Sequence, residues 1–155
     1  MKKWIIFCLS ALLALSLAAC GGKETGAAWT EDSLQAFLDS GAFSEELEEL
    51  DADILWPLYR LEDAGLSREQ LDSARAFRSA GATCEEVAVL SFTDEKAAEL
   101  AAGALKDYTA AQIDANRSYR PDEIPKLENA RIDRRGSTLL LLVAADQDAA
   151  AQLLK

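Results

Sequence analysis

Five consecutive large aliphatic residues, Leu139-Leu140-Leu141-Leu142-Val143, constrain the fold of this chain more than any other stretch. A strand with one wet face alternates apolar and polar side chains. This one does not, so it is predicted to be buried on both faces. It reads as the second arm of a hairpin: Ala130 to Asp133, a turn at Arg135-Gly136, then Thr138 to Ala144. Glu86-Val87-Ala88-Val89-Leu90-Ser91-Phe92 is a further strand.

Helices fill in around these strands. Thr30 can cap a helix that carries Leu34, Phe37 and Leu38 on one face and stops at Gly41. Ser44 to Leu47 restarts as a short helical or extended piece. Asp53 to Leu61 places Ile54, Leu55, Leu58 and Leu61 at helical spacing, with Pro57 limiting its regularity. Ser67 to Ala80 reads two ways. Ser67 and Gln70 form a capping box, with Leu71, Ala74 and Phe77 at helical spacing, yet the stretch also fits a strand ending at Ala80-Gly81-Ala82-Thr83. Thr93-Asp94-Glu95 opens the best helix, with an apolar stripe of Ala97, Leu100, Ala101, Ala104, Leu105 and Tyr108 that fades near Asn116. Arg117 to Pro125 is expected to be a loop, because two prolines stop the helix. Asp146 caps a short last helix. The pattern predicts an α+β domain: N-terminal helices, then β-β-α-β-β-α, with an antiparallel sheet packed by helices.

The N-terminus has a different character. Lys2 and Lys3 precede an apolar run from Trp4 to Leu15, too short to span a bilayer core of about 20 residues. Leu17-Ala18-Ala19-Cys20-Gly21 follows, and this order resembles the lipobox of bacterial lipoproteins. The resemblance implies cleavage before Cys20 and a diacylglyceryl group on its sulfur. An ordinary secretory signal cut at a small-residue site is the alternative. The expected organisation is a signal peptide over 1–19, a lipidated Cys20 and flexible tether over 20–28, and one globular domain over 29–155. The expected location is the extracytoplasmic face of a cell membrane. Each buried lipid CH₂ is worth about 0.8 kcal/mol, and two chains anchor stably. The tether reaches some 15 Å, at about 5–6 Å per square root of residue number.

Charge and composition exclude several activities. The chain carries a net charge of −11 and a pI near 4.4, whereas nucleic-acid binders need a basic footprint. It has no histidine, which removes Ser-His-Asp and Cys-His catalysis and histidine zinc sites. Beyond the signal peptide and Cys20, only Cys84 remains, so no disulfide can form within the mature chain. Cys84 has no activating base, and Glu85 and Glu86 beside it would raise a thiol pKa, so it reads as a small core or turn residue. Glu45, Glu46, Glu48, Glu49, Asp51 and Asp53 could attract Ca²⁺, but they lack the spacing of a calcium loop and read as a solvated acidic face. No metal or cofactor is expected. The many carboxylates could pair as acid and base in a small surface hydrolase, although the sequence selects no pair.

Charge is uneven along the chain. Residues 23–114 hold 7 basic and 21 acidic side chains, while Arg117 to Arg135 hold 6 and 4. Arg117, Tyr119, Arg120, Arg134 and Arg135 are therefore the candidate contact for an acidic protein or a small anionic ligand, since Arg grips carboxylate and phosphate with paired hydrogen bonds. Local charge balance is the plainer alternative. A non-catalytic binding or accessory role at the cell envelope is the function expected, with the hydrolase as runner-up.

Several stretches occur in fixed order: Ala42-Phe43 followed by Glu-Leu-Glu-Glu-Leu, Leu58-Tyr59, Gly81 to Leu90, and Tyr119-Arg120-Pro121-Asp122-Glu123-Ile124-Pro125-Lys126-Leu127-Glu128-Asn129-Ala130. On these, the chain from about Ala42 onward resembles the bacterial lipoprotein family known as domain of unknown function 4358. The resemblance implies a lipoprotein of Gram-positive, Clostridia-like bacteria and favours a strand over 72–79. It supplies no site residues. Cys84 stands where a smaller residue such as Ala is expected, and a few extra residues fall around 62–65.

With one cysteine and no histidine left, the domain must stand on packing alone. The fragment from Ala28 onward is expected to melt at the same temperature with or without chelator and reductant. A clear drop with either reagent contradicts this.

Overall fold

In the computed structural model, which describes residues 26–155, the chain runs α1 (Glu31–Asp39), β1 (Glu48–Glu49), α2 (Ala52–Leu58), β2 (Leu71–Arg78), β3 (Glu86–Phe92), α3 (Glu95–Asn116), α4 (Ile124–Glu128), β4 (Arg131–Arg135), β5 (Thr138–Val143) and α5 (Gln147–Leu153). The strands form one antiparallel sheet in the order β1-β2-β3-β5-β4. This is the α+β architecture expected, with an edge strand and one short helix added.

β5 is buried along its whole length, and β3 nearly so. Their side chains alternate between two separate cores. Ala88, Leu90, Phe92, Leu139, Leu141 and Val143 pack with α2, α3 and α4 residues such as Leu55, Leu105 and Leu127. Val87, Val89, Leu140 and Leu142 pack on the other face with Trp29, Leu34, Phe37 and Ala150 from the α1 and α5 side. The unbroken aliphatic run is thus the signature of a sheet covered twice.

Local chemistry sets the element ends. Thr30 caps α1, with Ser33 completing a reciprocal capping box. The Ser67–Gln70 box is also real, but it caps a single 3₁₀ turn, Arg68–Gln70, and β2 begins directly after it. Gly136 takes φ 60, the left-handed backbone that a tight β4–β5 turn requires.

Two expectations change, and a third gains detail. Residues 117–125 are not all loop: Pro121 opens a 3₁₀ turn and Pro125 sits in the first turn of α4, where its missing N–H has no helical partner to lose. The acidic run is exposed as expected at Glu46, Glu48, Glu49, Asp51 and Asp53, and it also holds an edge strand: Glu48 and Glu49 pair with Arg78 and Phe77 of β2. Glu49 also reaches Arg75 at 2.7 Å, and Asp51 caps α2. Leu100 of the α3 stripe stays 39% exposed.

The N-terminal approach is fixed where β4 turns into β5. The Trp29 backbone N–H donates to Thr138 Oγ1 at 2.8 Å, and its indole N–H donates to the Asp133 carbonyl at 3.0 Å. The Arg135 guanidinium lies 3.6 Å from the Trp29 ring centroid.

Because β5 is covered twice, Leu140→Ala and Leu141→Ala should each destabilise the domain by about 2–5 kcal/mol. Denaturant melts of the two variants check this. A Leu140→Ala variant as stable as wild type contradicts the second core.

Candidate functional site: a buried carboxylate pair and the cleft beside it

β3 opens with two acidic residues, and both are almost wholly buried. They point to different partners. Glu86 faces α3: its Oε1 accepts from the Tyr59 hydroxyl at 2.5 Å and its Oε2 from the Tyr108 hydroxyl at 2.7 Å. Arg78 Nε stands 3.6 Å from Oε2. The tyrosine rings meet edge-on with centroids 5.1 Å apart. Burial pushes the Glu86 carboxyl above its usual range, although the two hydroxyls and Arg78 pull it down. Burial, then the carboxylate, pushes both phenols well up, so both remain donors.

Glu85 binds two other elements. Its oxygens accept from the Ser44 N–H at 2.7 Å, the Ser44 hydroxyl at 2.5 Å and Lys126 Nζ at 2.7 Å. Lys126 also donates to Glu123 Oε1 at 2.9 Å, and Glu123 Oε2 accepts the Cys84 N–H at 2.8 Å. Burial lowers the Lys126 pKa, but its bonds to the two carboxylates outweigh that and leave it raised. Nearby, Glu45 accepts from the Ser79 and Thr83 hydroxyls, which hold its carboxyl below the usual range.

Every buried oxygen of this network is taken up. Among the described residues no buried side-chain nitrogen or oxygen lacks a partner, and no group of three or more His, Cys, Asp or Glu is placed to hold a metal. The arrangement therefore fixes shape: it locks β3 to the Ser44 loop, α2, α3 and α4.

Beside it lies a cleft of about 330 Å³ between α3 and the turn after α2. Leu58, Ala64, Ala104, Tyr108 and Ala111 line it, together with Arg60, Asp63, Asp107 and Gln112. Arg78 donates to Gln112 at 3.2 Å, so the same guanidinium lies against both the buried pair and a cleft residue.

The candidate contact residues do not share one surface. Arg117 and Tyr119 follow the C-terminus of α3; Arg117 pairs with Asp114 at 3.6 Å, and Tyr119 is 86% exposed. Arg120 turns inward and donates to the Gly81 carbonyl at 2.8 Å and to Asn116 at 2.8 Å. Arg134 lies 3.9 Å from Glu95, at the first residue of α3. A 22-residue helix is about 33 Å long, so Arg134 and Arg117 are at opposite ends of the domain. Arg135 is on the other face of the sheet, 7% exposed, bonded to Asp133, Ala27 and Leu154. Cys84 is a buried core residue. Burial, more than any acid, raises its thiol pKa; Glu123 adds to the rise and Arg120 opposes it. Cys20 lies outside the described residues.

Residues 39–144 match the family described as "Domain of unknown function (DUF4358)". The chain belongs to this family. Within this DUF4358 domain, the stretches around Leu58-Tyr59, Gly81 to Leu90 and Tyr119 to Ala130 converge on the carboxylate pair, contributing Tyr59, Glu85, Glu86, Glu123 and Lys126, while Arg120 ties the last stretch to the Gly81 carbonyl. No curated protein and no solved structure matches the chain. The pair itself was visible in the sequence as two acids heading an apolar strand. Its partners were not: Tyr59, Tyr108 and Lys126 lie 27, 22 and 41 residues away.

The raised Glu86 pKa makes a signed prediction. As pH rises from the ordinary value near 4.5, the unfolded chain ionises first, so stability contributed by protonated Glu86 falls until the folded carboxyl ionises too. Glu86→Gln lacks this term. The stability of wild type relative to Glu86→Gln should therefore decline with rising pH, measured by denaturant melts across pH 4 to 8 (roughly, the span bracketing a raised carboxyl). A relative stability that grows with pH would show that the ionised form is the favoured one.

Proposed function

We propose that this DUF4358 protein is a lipoprotein of the cell envelope, held on the extracytoplasmic face by lipid on Cys20, whose domain binds rather than catalyses. The observation that carries the anchoring is the short step from motif to fold. Trp29, nine residues after Cys20, is already bonded into the β4–β5 end. Among the described residues no helix is long and apolar enough to cross a membrane. Binding over turnover is supported by the carboxylates. The buried ones are saturated by internal donors, and at the cleft Asp63 is paired with Arg60 while Asp107 is open to solvent. Neither has the apolar seat that an acid catalyst uses.

The tether also gives the domain a direction. Gly26 and Ala28 border the same surface hollow as Thr93 to Glu95 and Arg135 to Ser137. That end lies toward the membrane. Arg117 and Tyr119, about 33 Å away along α3, point outward and are the part of the basic segment left for a protein partner.

Wild-type protein grown with a clickable fatty acid should take up label, and Cys20→Ser should lose the label and leave the membrane fraction. An unlabelled wild type refutes the anchor.

A further inference from the structure

The cleft beside Tyr108 is shaped by small residues. Ala104, Tyr108 and Ala111 share one stripe of α3, and the two alanines leave space on either side of the ring. Leu58 and Ala64 form the facing wall. Two of the three large exposed hydrophobics among the described residues continue these walls. Ile54, 50% exposed, is one turn before Leu58, and Leu100, 39% exposed, is one turn before Ala104.

The polar groups around it are unequal. Arg60 is taken up by Asp63, at 2.7 Å from both Nε and Nη2. Asp107 has no cationic partner among the described residues. The rim thus carries one uncompensated negative charge, on a chain whose net charge is −11. Tyr108 points its hydroxyl inward to Glu86, so what it offers the cleft is apolar ring surface.

We propose that this cleft binds a small organic cation: an amine with an apolar, flat or aliphatic body of roughly ten to fifteen non-hydrogen atoms, the size such a cavity encloses. The body lies against Leu58, Ala104, Tyr108 and Ala111, and the ammonium meets Asp107. The inference rests on the binding reading above and names its ligand class.

Tryptamine is the probe, with indole-3-propionate as its anionic counterpart. Both are titrated by saturation-transfer NMR against the full-length protein in zwitterionic nanodiscs, with empty discs subtracted. Tryptamine should bind, and indole-3-propionate should bind more weakly by about tenfold. Asp107→Asn should weaken tryptamine by about two- to fivefold, the range of a solvent-exposed ion pair. Ala111→Trp, at an exposed helix position that tolerates bulk, should remove binding without changing the thermal melt. Equal binding of the two probes, or tryptamine binding untouched by Ala111→Trp, overturns the proposal. Recovered probe is checked by mass. A converted probe would refute the non-catalytic reading while leaving the site in place, and fatty-acid labelling of Cys20 is independent of either result.

Discussion

β3 and β5 are hidden from water on both faces, and the remaining elements are arranged to keep them so. A buried Val or Leu side chain contributes about 1.5–3 kcal/mol when fully covered. The two strands supply such residues to two cores at once, Leu139 and Leu141 on one side, Leu140 and Leu142 on the other. Neither core survives without its helices. α1 and α5 must lie on one face, and α2, α3 and α4 on the other. This leaves only strand ends and helix outer faces for polar groups.

That is where the two glutamates stand. Taking a carboxylate out of water is expensive unless donors surround it, and removing one partner of such a pair is strongly destabilising. Glu85 and Glu86 meet this demand with groups far apart in the chain: Ser44 and Lys126 for one, Tyr59, Tyr108 and Arg78 for the other. The charges thus specify how five separate segments assemble at one end of the sheet, where packing alone would allow sliding. The cleft inherits this precision. Tyr108 can present only its ring there, because Glu86 holds its hydroxyl.

Much of this was legible in the residues, and the failures have definite causes. The double-covered strand follows from five aliphatics without alternation. Thr30 and Asp146 cap the helices expected of them, and within Thr93-Asp94-Glu95 the cap is Asp94. The competing signals in 67–80 were both true, since a capping box can close one 3₁₀ turn and hand over to a strand. α4 was hidden because proline was read as a breaker, whereas in a first turn it is compatible with helix. β1, two residues long, exists only through its pairing with β2, which no local pattern reports. The basic segment does not form one surface, for a geometric reason. Adjacent strand residues point to opposite faces, so Arg134 and Arg135 part at once, and α3 separates both from Arg117. Arg135 then serves the core by covering Trp29.

The Trp29–Arg135 contact joins the fold to the proposed anchoring. Residues 20–155 carry 27 acidic side chains against 14 basic, so an anionic bilayer would repel them, and the proposed lipid on Cys20 would have to supply the attraction. The expected tether of about 15 Å would allow little rotation away from such a surface. A free N-terminal arm would let the domain tumble at that distance. Here the arm is locked by two hydrogen bonds and a stacked guanidinium, so the exit point is fixed relative to the sheet. On the proposed anchoring, the membrane-facing end would be set by the same ring that closes the second core, and α3, about 33 Å long, carries Tyr119 to the opposite end.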